Sequence, residues 1–164
     1  MRMKSAMVAG GLALTMLMGC SSSDSGDSDS PKGAPPKVAA LGPFVGECGH
    51  VTDKEVSEIL GGAVWMTYKN STGCRWEGSG SMTFASYRGS PIGRERAWVS
   101  TAGRAPESIE VGGRPGFQGS WGTICDLAVQ LDDDFFEWSH QAGTLEPPCE
   151  ASRKLAELTL QRLK

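Results

Sequence analysis

At 164 residues the chain has room for one folded domain and not comfortably for two. Its hydrophobic fraction of 39% and charged fraction of 21% are those of an ordinary globular protein, and its formal charge is −3. Setting aside residues 1–19, with Arg2 and Lys4, leaves 14 basic and 19 acidic residues. That balance excludes the basic face of a nucleic-acid-binding protein, and no Lys/Arg run is present to draw the chain to anionic lipid.

Arg2 and Lys4 precede an apolar stretch, Ala6–Met18. As a helix its 13 residues would reach roughly 20 Å, short of the ~30 Å hydrocarbon core of a bilayer. Residues 1–19 therefore read as a cleavable export signal and not as a membrane span. The signal ends Leu17-Met18-Gly19-Cys20, which resembles the bacterial lipobox. That resemblance implies cleavage just before Cys20 and diacylglycerol on its thiol, with acyl chains holding the protein to the extracytoplasmic face of the cell membrane. Residues 20–43 are rich in Ser, Asp, Gly and Pro. Such a segment cannot bury apolar area and reads as a disordered tether with a reach of roughly 25–30 Å.

Residues 44–164 form the expected extracytoplasmic domain. Thr52-Asp53-Lys54-Glu55 is a capping box, with Val51 and Val56 placed as a hydrophobic staple, and Gly61-Gly62 stops the helix. Ala63–Tyr68 reads as a strand and Lys69–Gly73 as a turn. A helix followed by an antiparallel strand brings the chain back to the helix start, so Cys74 should lie beside Cys48. Further on, Ser81–Tyr87 reads as a strand, Arg94–Ala102 as a short helix, and Ser108–Val111 and Arg114–Gly119 as strands around Gly112-Gly113. Ile124–Leu131 alternates, with Cys125, Leu127, Val129 and Leu131 on one face, and returns as Asp134–Gln141. A two-residue turn at Asp132-Asp133 sets Leu131 opposite Asp134 and Cys125 opposite His140. The chain then leaves this hairpin near Cys125, and Pro147-Pro148 lead Cys149 into a terminal helix on which Cys149, Ala156, Leu160 and Leu163 share one side. The expected disulfides are Cys48–Cys74 and Cys125–Cys149. Each closes a loop of about 25 residues, worth on the order of 3 kcal/mol. The fold class is α+β: a mainly antiparallel sheet packed against helices.

With these features in place, the chain resembles an actinobacterial lipoprotein family defined by domain of unknown function 3558, which includes the mycobacterial Lpr-type lipoproteins. The likeness rests on Cys48, Thr52-Asp53-Lys54-Glu55-Val56, Leu60-Gly61, Cys74-Arg75-Trp76, Gly113-Arg114, Cys125 and Cys149-Glu150, with Leu155-Ala156 in the last helix. It implies an envelope-anchored α+β domain related in fold to PsbP-like domains, and it implies no catalytic residues.

Several constellations invite a chemical reading. His140 could join Ser139 and Asp126 in a hydrolytic set, but it reads as a strand residue opposite a disulfide. Gly113, Gly116 and Gly119 match no phosphate loop and read as turns and bulges. Asp132-Asp133-Asp134 could offer oxygens to calcium but lacks further ligands, so it reads as a solvated turn. Without a C-x-x-C pair, zinc is not expected. Trp65, Trp76, Trp98, Trp121 and Trp138 suggest a sugar-binding surface or an apolar ligand pocket, although core packing is the expectation for most of them. Trp121 stands out for exposure, and Trp121 with Arg114 is the candidate ligand-binding pair. The expected function is a non-enzymatic binding or interaction module, partnered by an envelope protein or an apolar ligand. Carriage of lipid or a small apolar ligand is the alternative, and cell-wall hydrolysis a more distant one. No cofactor, metal or nucleic acid is called for.

Overall fold

The computed structural model describes residues 45–143 and 149–163, all within one compact unit; the export signal and tether expected from the sequence, with Cys20, fall outside the described residues. A 3-10 turn at Glu47–His50 leads into α1 (Asp53–Leu60). The chain continues through β1 (Val64–Lys69), β2 (Gly73–Gly78) and β3 (Ser81–Tyr87), then α2 (Ile92–Thr101). It finishes with β4 (Glu107–Val111), β5 (Arg114–Trp121), β6 (Ile124–Leu131), β7 (Asp134–Gln141) and α3 (Cys149–Gln161). The seven strands make one sheet in the order β1-β2-β3-β7-β6-β5-β4, every pair antiparallel. The α+β class expected from the sequence is the one observed. β2 is the element the pattern did not reveal, because Cys74-Arg75-Trp76-Glu77 lies between glycines and resembled the end of a turn. α2 begins at Ile92, directly after Pro91 and two residues earlier than Arg94.

α1 starts as its capping box requires. The Glu55 amide donates to Thr52 Oγ1 at 3.3 Å, and the Thr52 amide donates to Glu55 Oε2 at 2.9 Å. The stapling residues Val51 and Val56 are both buried. The same Glu55 carboxylate is also clamped by Arg162 from α3. Arg162 and the Thr52 amide hold the Glu55 carboxyl well below the usual range, at about 2.

One face of the sheet is closed by α1, the 3-10 turn and α3. Its core centres on Trp76 and Trp138, stacked with ring centroids 5.7 Å apart and backed by Phe84 and Phe136. Both buried indoles find acceptors on helices. Trp76 Nε1 donates to Asp53 Oδ1 of α1 at 2.8 Å, and Trp138 Nε1 donates to Thr159 Oγ1 of α3 at 3.1 Å. Meeting Trp138 sets the face that α3 presents. Ser152, Leu155, Ala156 and Thr159 are buried, while Leu160, which the sequence pattern put on the inner side, only packs at the margin. Gly49 lies against the same cluster at φ +62°, and a Cβ there would come within 2.7 Å of Thr159 Oγ1 and 3.0 Å of Phe84. That approach explains why the turn uses glycine.

The bonded pairs are Cys48–Cys74 and Cys125–Cys149, with Cα–Cα distances of 5.3 and 5.2 Å. The first ties the turn before α1 to β2, as the order of helix and strand implied. The second ties β6 to the start of α3. The β6–β7 register is also as read from the sequence, with Leu131 opposite Asp134 and Cys125 opposite His140.

Replacing Thr159 with Val keeps the volume but leaves the Trp138 N–H buried without an acceptor. Thr159→Val is expected to cost about 1–3 kcal/mol in urea unfolding at neutral pH.

Candidate binding face

Among the described residues, one helix serves the opposite face of the sheet. Val99 and Ile92 of α2 pack on Phe117, Ala128 and Phe135, with Tyr87 stacked on Phe135 at 4.3 Å. Arg96 secures the helix to β4 and the loop before it, donating to Ser108 Oγ at 2.9 Å and to the Pro106 carbonyl at 3.0 Å. The Arg104 backbone closes over Gly119, where a Cβ would meet the Arg104 carbonyl at 2.3 Å. Gly119 is thus a point of close approach and not the bulge that the sequence suggested.

Where this cover ends, a row of side chains crosses six strands. Successive pairings link Trp65 to Glu77, Glu77 to Ser81, Ser81 to Gln141, Gln141 to Ile124 and Ile124 to Trp121. All six lie on the α2 side, because their neighbours along the strands, Trp76, Met82 and Cys125, point into the opposite core. Trp65 and Trp121 close the two ends of the row, 59% and 69% exposed. A second row, Arg75-Thr83-Ser139-Asp126, runs beside it. Arg75 Nε pairs with Glu77 Oε1 at 2.6 Å, so these two charges of β2 neutralise each other. Next to these rows an open groove of about 420 Å³ is lined by Tyr68, Thr83, Tyr87 and Arg88 among others.

Only Trp76 and Trp138 are core residues. Trp65, Trp98 and Trp121 are exposed, which corrects the expectation that most of the five would be buried. The reason is coverage: among the described residues no second helix lies over the ends of the strands that carry Trp65 and Trp121. Trp121 and Arg114, paired as ligand-binding candidates, occupy opposite ends of β5 and point to opposite faces. Arg114 faces the turn at Asp132, 3.7 Å away.

The supposed hydrolytic set is half formed. Ser139 Oγ donates to Asp126 Oδ1 at 2.6 Å, and Arg104 Nη1 contacts Asp126 Oδ2 at 2.5 Å. His140 points to the other side of the sheet, alongside Cys125, and cannot reach them. The three aspartates of the β6–β7 turn also diverge. Asp132 is exposed, whereas Asp134 is buried and accepts from the Gly89 amide at 2.8 Å. Among the described residues no cluster of three His, Cys, Asp or Glu side chains is placed to hold a metal.

The sequence reading missed a carboxyl cluster under α2. Glu137 of β7 sits between Ala85 and Ala128 and is only 8% exposed. Burial, then the charges of Glu95 on α2 and of Asp126, push its carboxyl up to about 8. Burial raises Glu95 as well, and Tyr87 is pushed up to about 12 by burial and by Glu137. The signal that could have found Glu137 is its place within a strand buried on both sides.

These features describe a disulfide-bonded α+β domain with one closed face and one partly open, aromatic-ended face. The model of the family described as "Protein of unknown function (DUF3558)" matches residues 15–162. The chain belongs to that actinobacterial family, which takes in the mycobacterial Lpr-type lipoproteins. It is 36% identical to a protein of Mycobacterium bovis named "Putative lipoprotein LprB", over 89% of this chain and 88% of that one. Proteins of the same name from Mycobacterium tuberculosis and Mycobacterium leprae are 35% and 29% identical, the latter over 93% of this chain and 90% of its own. No solved structure matches the chain. Among the described residues no helix is long and apolar enough to cross a membrane.

Unfolding returns Glu137 to the ordinary carboxyl range near 4.5, so the folded domain holds that proton more tightly. Its contribution to stability is fully present below about 4.5 and is lost as the pH climbs towards 8. Glu137→Gln should therefore raise the thermal midpoint at pH 8, by the equivalent of roughly 1–3 kcal/mol, and change it little at pH 5.

Proposed function

We propose that this chain is a lipid-anchored binding module of the cell envelope, held by Cys20 at the extracytoplasmic face and working through the half-open side of its sheet. Its membership of a family of lipoproteins supports the anchor, as does the sequence Leu17-Met18-Gly19-Cys20 before a polar tether. The observation that carries the binding role is the register-matched row from Trp65 to Trp121. Two large aromatic side chains stay in water at the two ends of one polar strip, although folding normally hides such residues. The separation of His140 from Ser139 and Asp126, and the burial of Glu137 and Asp126, favour binding over hydrolysis, since a hydrolytic acid and base must reach substrate.

Two measurements test the two parts. Intact-mass analysis of the N-terminal peptide should find diacylglycerol on Cys20, and Cys20→Ser should move the protein out of the membrane fraction. A photo-crosslinking side chain at Gln141, in the row, should form an adduct in native envelopes, while the same group at Lys54 of α1 should not. Equal crosslinking at both positions, or none at either, would refute a role for this face.

A further inference from the structure

We infer that the ligand of this face is an extended, uncharged polysaccharide strand, lying across the six strands from Trp65 to Trp121. This rests on the reading of that face as the binding surface and adds the chemistry of its occupant. Three observations select it. First, the two indoles belong to one row and one face, five interstrand gaps apart, which is about 24 Å at roughly 4.8 Å per gap. A compact molecule in the 420 Å³ groove would reach neither of them, so the ligand must be long. Second, the space between the indoles is not apolar. Glu77, Ser81 and Gln141 in the row, and Arg75, Thr83 and Ser139 beside it, offer donors and acceptors at close spacing. A lipid tail would leave these groups unpaired, whereas a polyol pairs with them. Third, the charges within this strip cancel. Arg75 Nε lies 2.6 Å from Glu77 Oε1, and Asp126 is occupied by Arg104 and Ser139. An uncharged ligand is the complement of such a strip. A sugar ring supplies both requirements, with an apolar C–H face to lie on an indole and hydroxyls at its edge. A hydrophobic protein partner would instead call for apolar side chains between the two tryptophans, and in that row the described residues offer one, Ile124.

The test is a titration of the full-length lipoprotein, purified in detergent, with neutral oligosaccharides: cellohexaose, chitohexaose and maltohexaose, each against its own trisaccharide. At least one hexasaccharide should bind saturably and at least about tenfold tighter than its trisaccharide, because only the longer chain can engage both ends of the row. Trp65→Ala and Trp121→Ala should each weaken that binding by about tenfold or more. Trp98→Ala removes an equally exposed indole that lies outside the row, and should leave binding unchanged. These side chains are exposed, so thermal midpoints of all three variants should stay near wild type. Absence of binding to every hexasaccharide, or an equal loss in Trp98→Ala, overturns the inference. The Gln141 crosslink separates this failure from failure of the binding face. An adduct carrying carbohydrate supports both readings, an adduct carrying only protein keeps the face and removes the polysaccharide, and no adduct removes both.

Discussion

Two indole N–H groups decide which side of this sheet is closed. Trp76 and Trp138 stack in the centre of the core, and a buried N–H without an acceptor would cost on the order of 1–3 kcal/mol each. Asp53 at the first turn of α1 and Thr159 on α3 supply the acceptors. Both helices are thereby committed to the same face. Arg162 then joins α3 to the capping carboxylate of α1, and the two disulfides fix the starts of both helical segments to β2 and β6. Once α1 and α3 are spent on one face, α2 is the only helix of the described residues left for the other.

A helix of ten residues is about 15 Å long, whereas seven strands spread over roughly 29 Å. α2 cannot cover such an area. It sits over Phe117, Ala128 and Phe135, where apolar contact is available, and leaves the strand ends beyond it to solvent. The rim of the covered zone carries the carboxyl cluster of Glu95, Asp126 and Glu137, met by one guanidinium from Arg104. That arrangement is weak as a stability device, because Glu137 is shielded from water with like charges around it. The Glu137 carboxyl is pushed up and favours its protonated form, whereas on the other face the Glu55 carboxyl is held down by Arg162 and favours its charged form.

The closed face was largely legible in the sequence. Its information is local or strictly periodic: a capping box, a staple, alternation along β6, a two-residue turn, and cysteines at the ends of neighbouring elements. The disulfide pairs and the β6–β7 register follow from such short-range rules. The open face was less legible for a physical reason. Whether Trp65 or Trp121 is buried depends on what lies above it, and nothing near either residue records that one short helix fails to reach it. β2 was obscured by flanking glycines, and Glu137 by having no partner whose spacing could betray it. Trp121 and Arg114 share no surface, because they sit at opposite ends of one strand and on its opposite faces. The Ser139–Asp126 contact was visible from cross-strand register, and the same register shows that His140 must face away.

On this reading the strip between Trp65 and Trp121 is open in the isolated protein and occupied in the envelope. Hydroxyl-radical footprinting of the purified lipoprotein and of native membranes measures this directly. Trp65, Trp98 and Trp121 should label strongly in the purified protein, with Trp76 and Trp138 silent, and Trp65 and Trp121 should be selectively protected in native envelopes. Protection of Trp65 or Trp121 already in the purified protein, or unchanged labelling of both in the envelope, would contradict it.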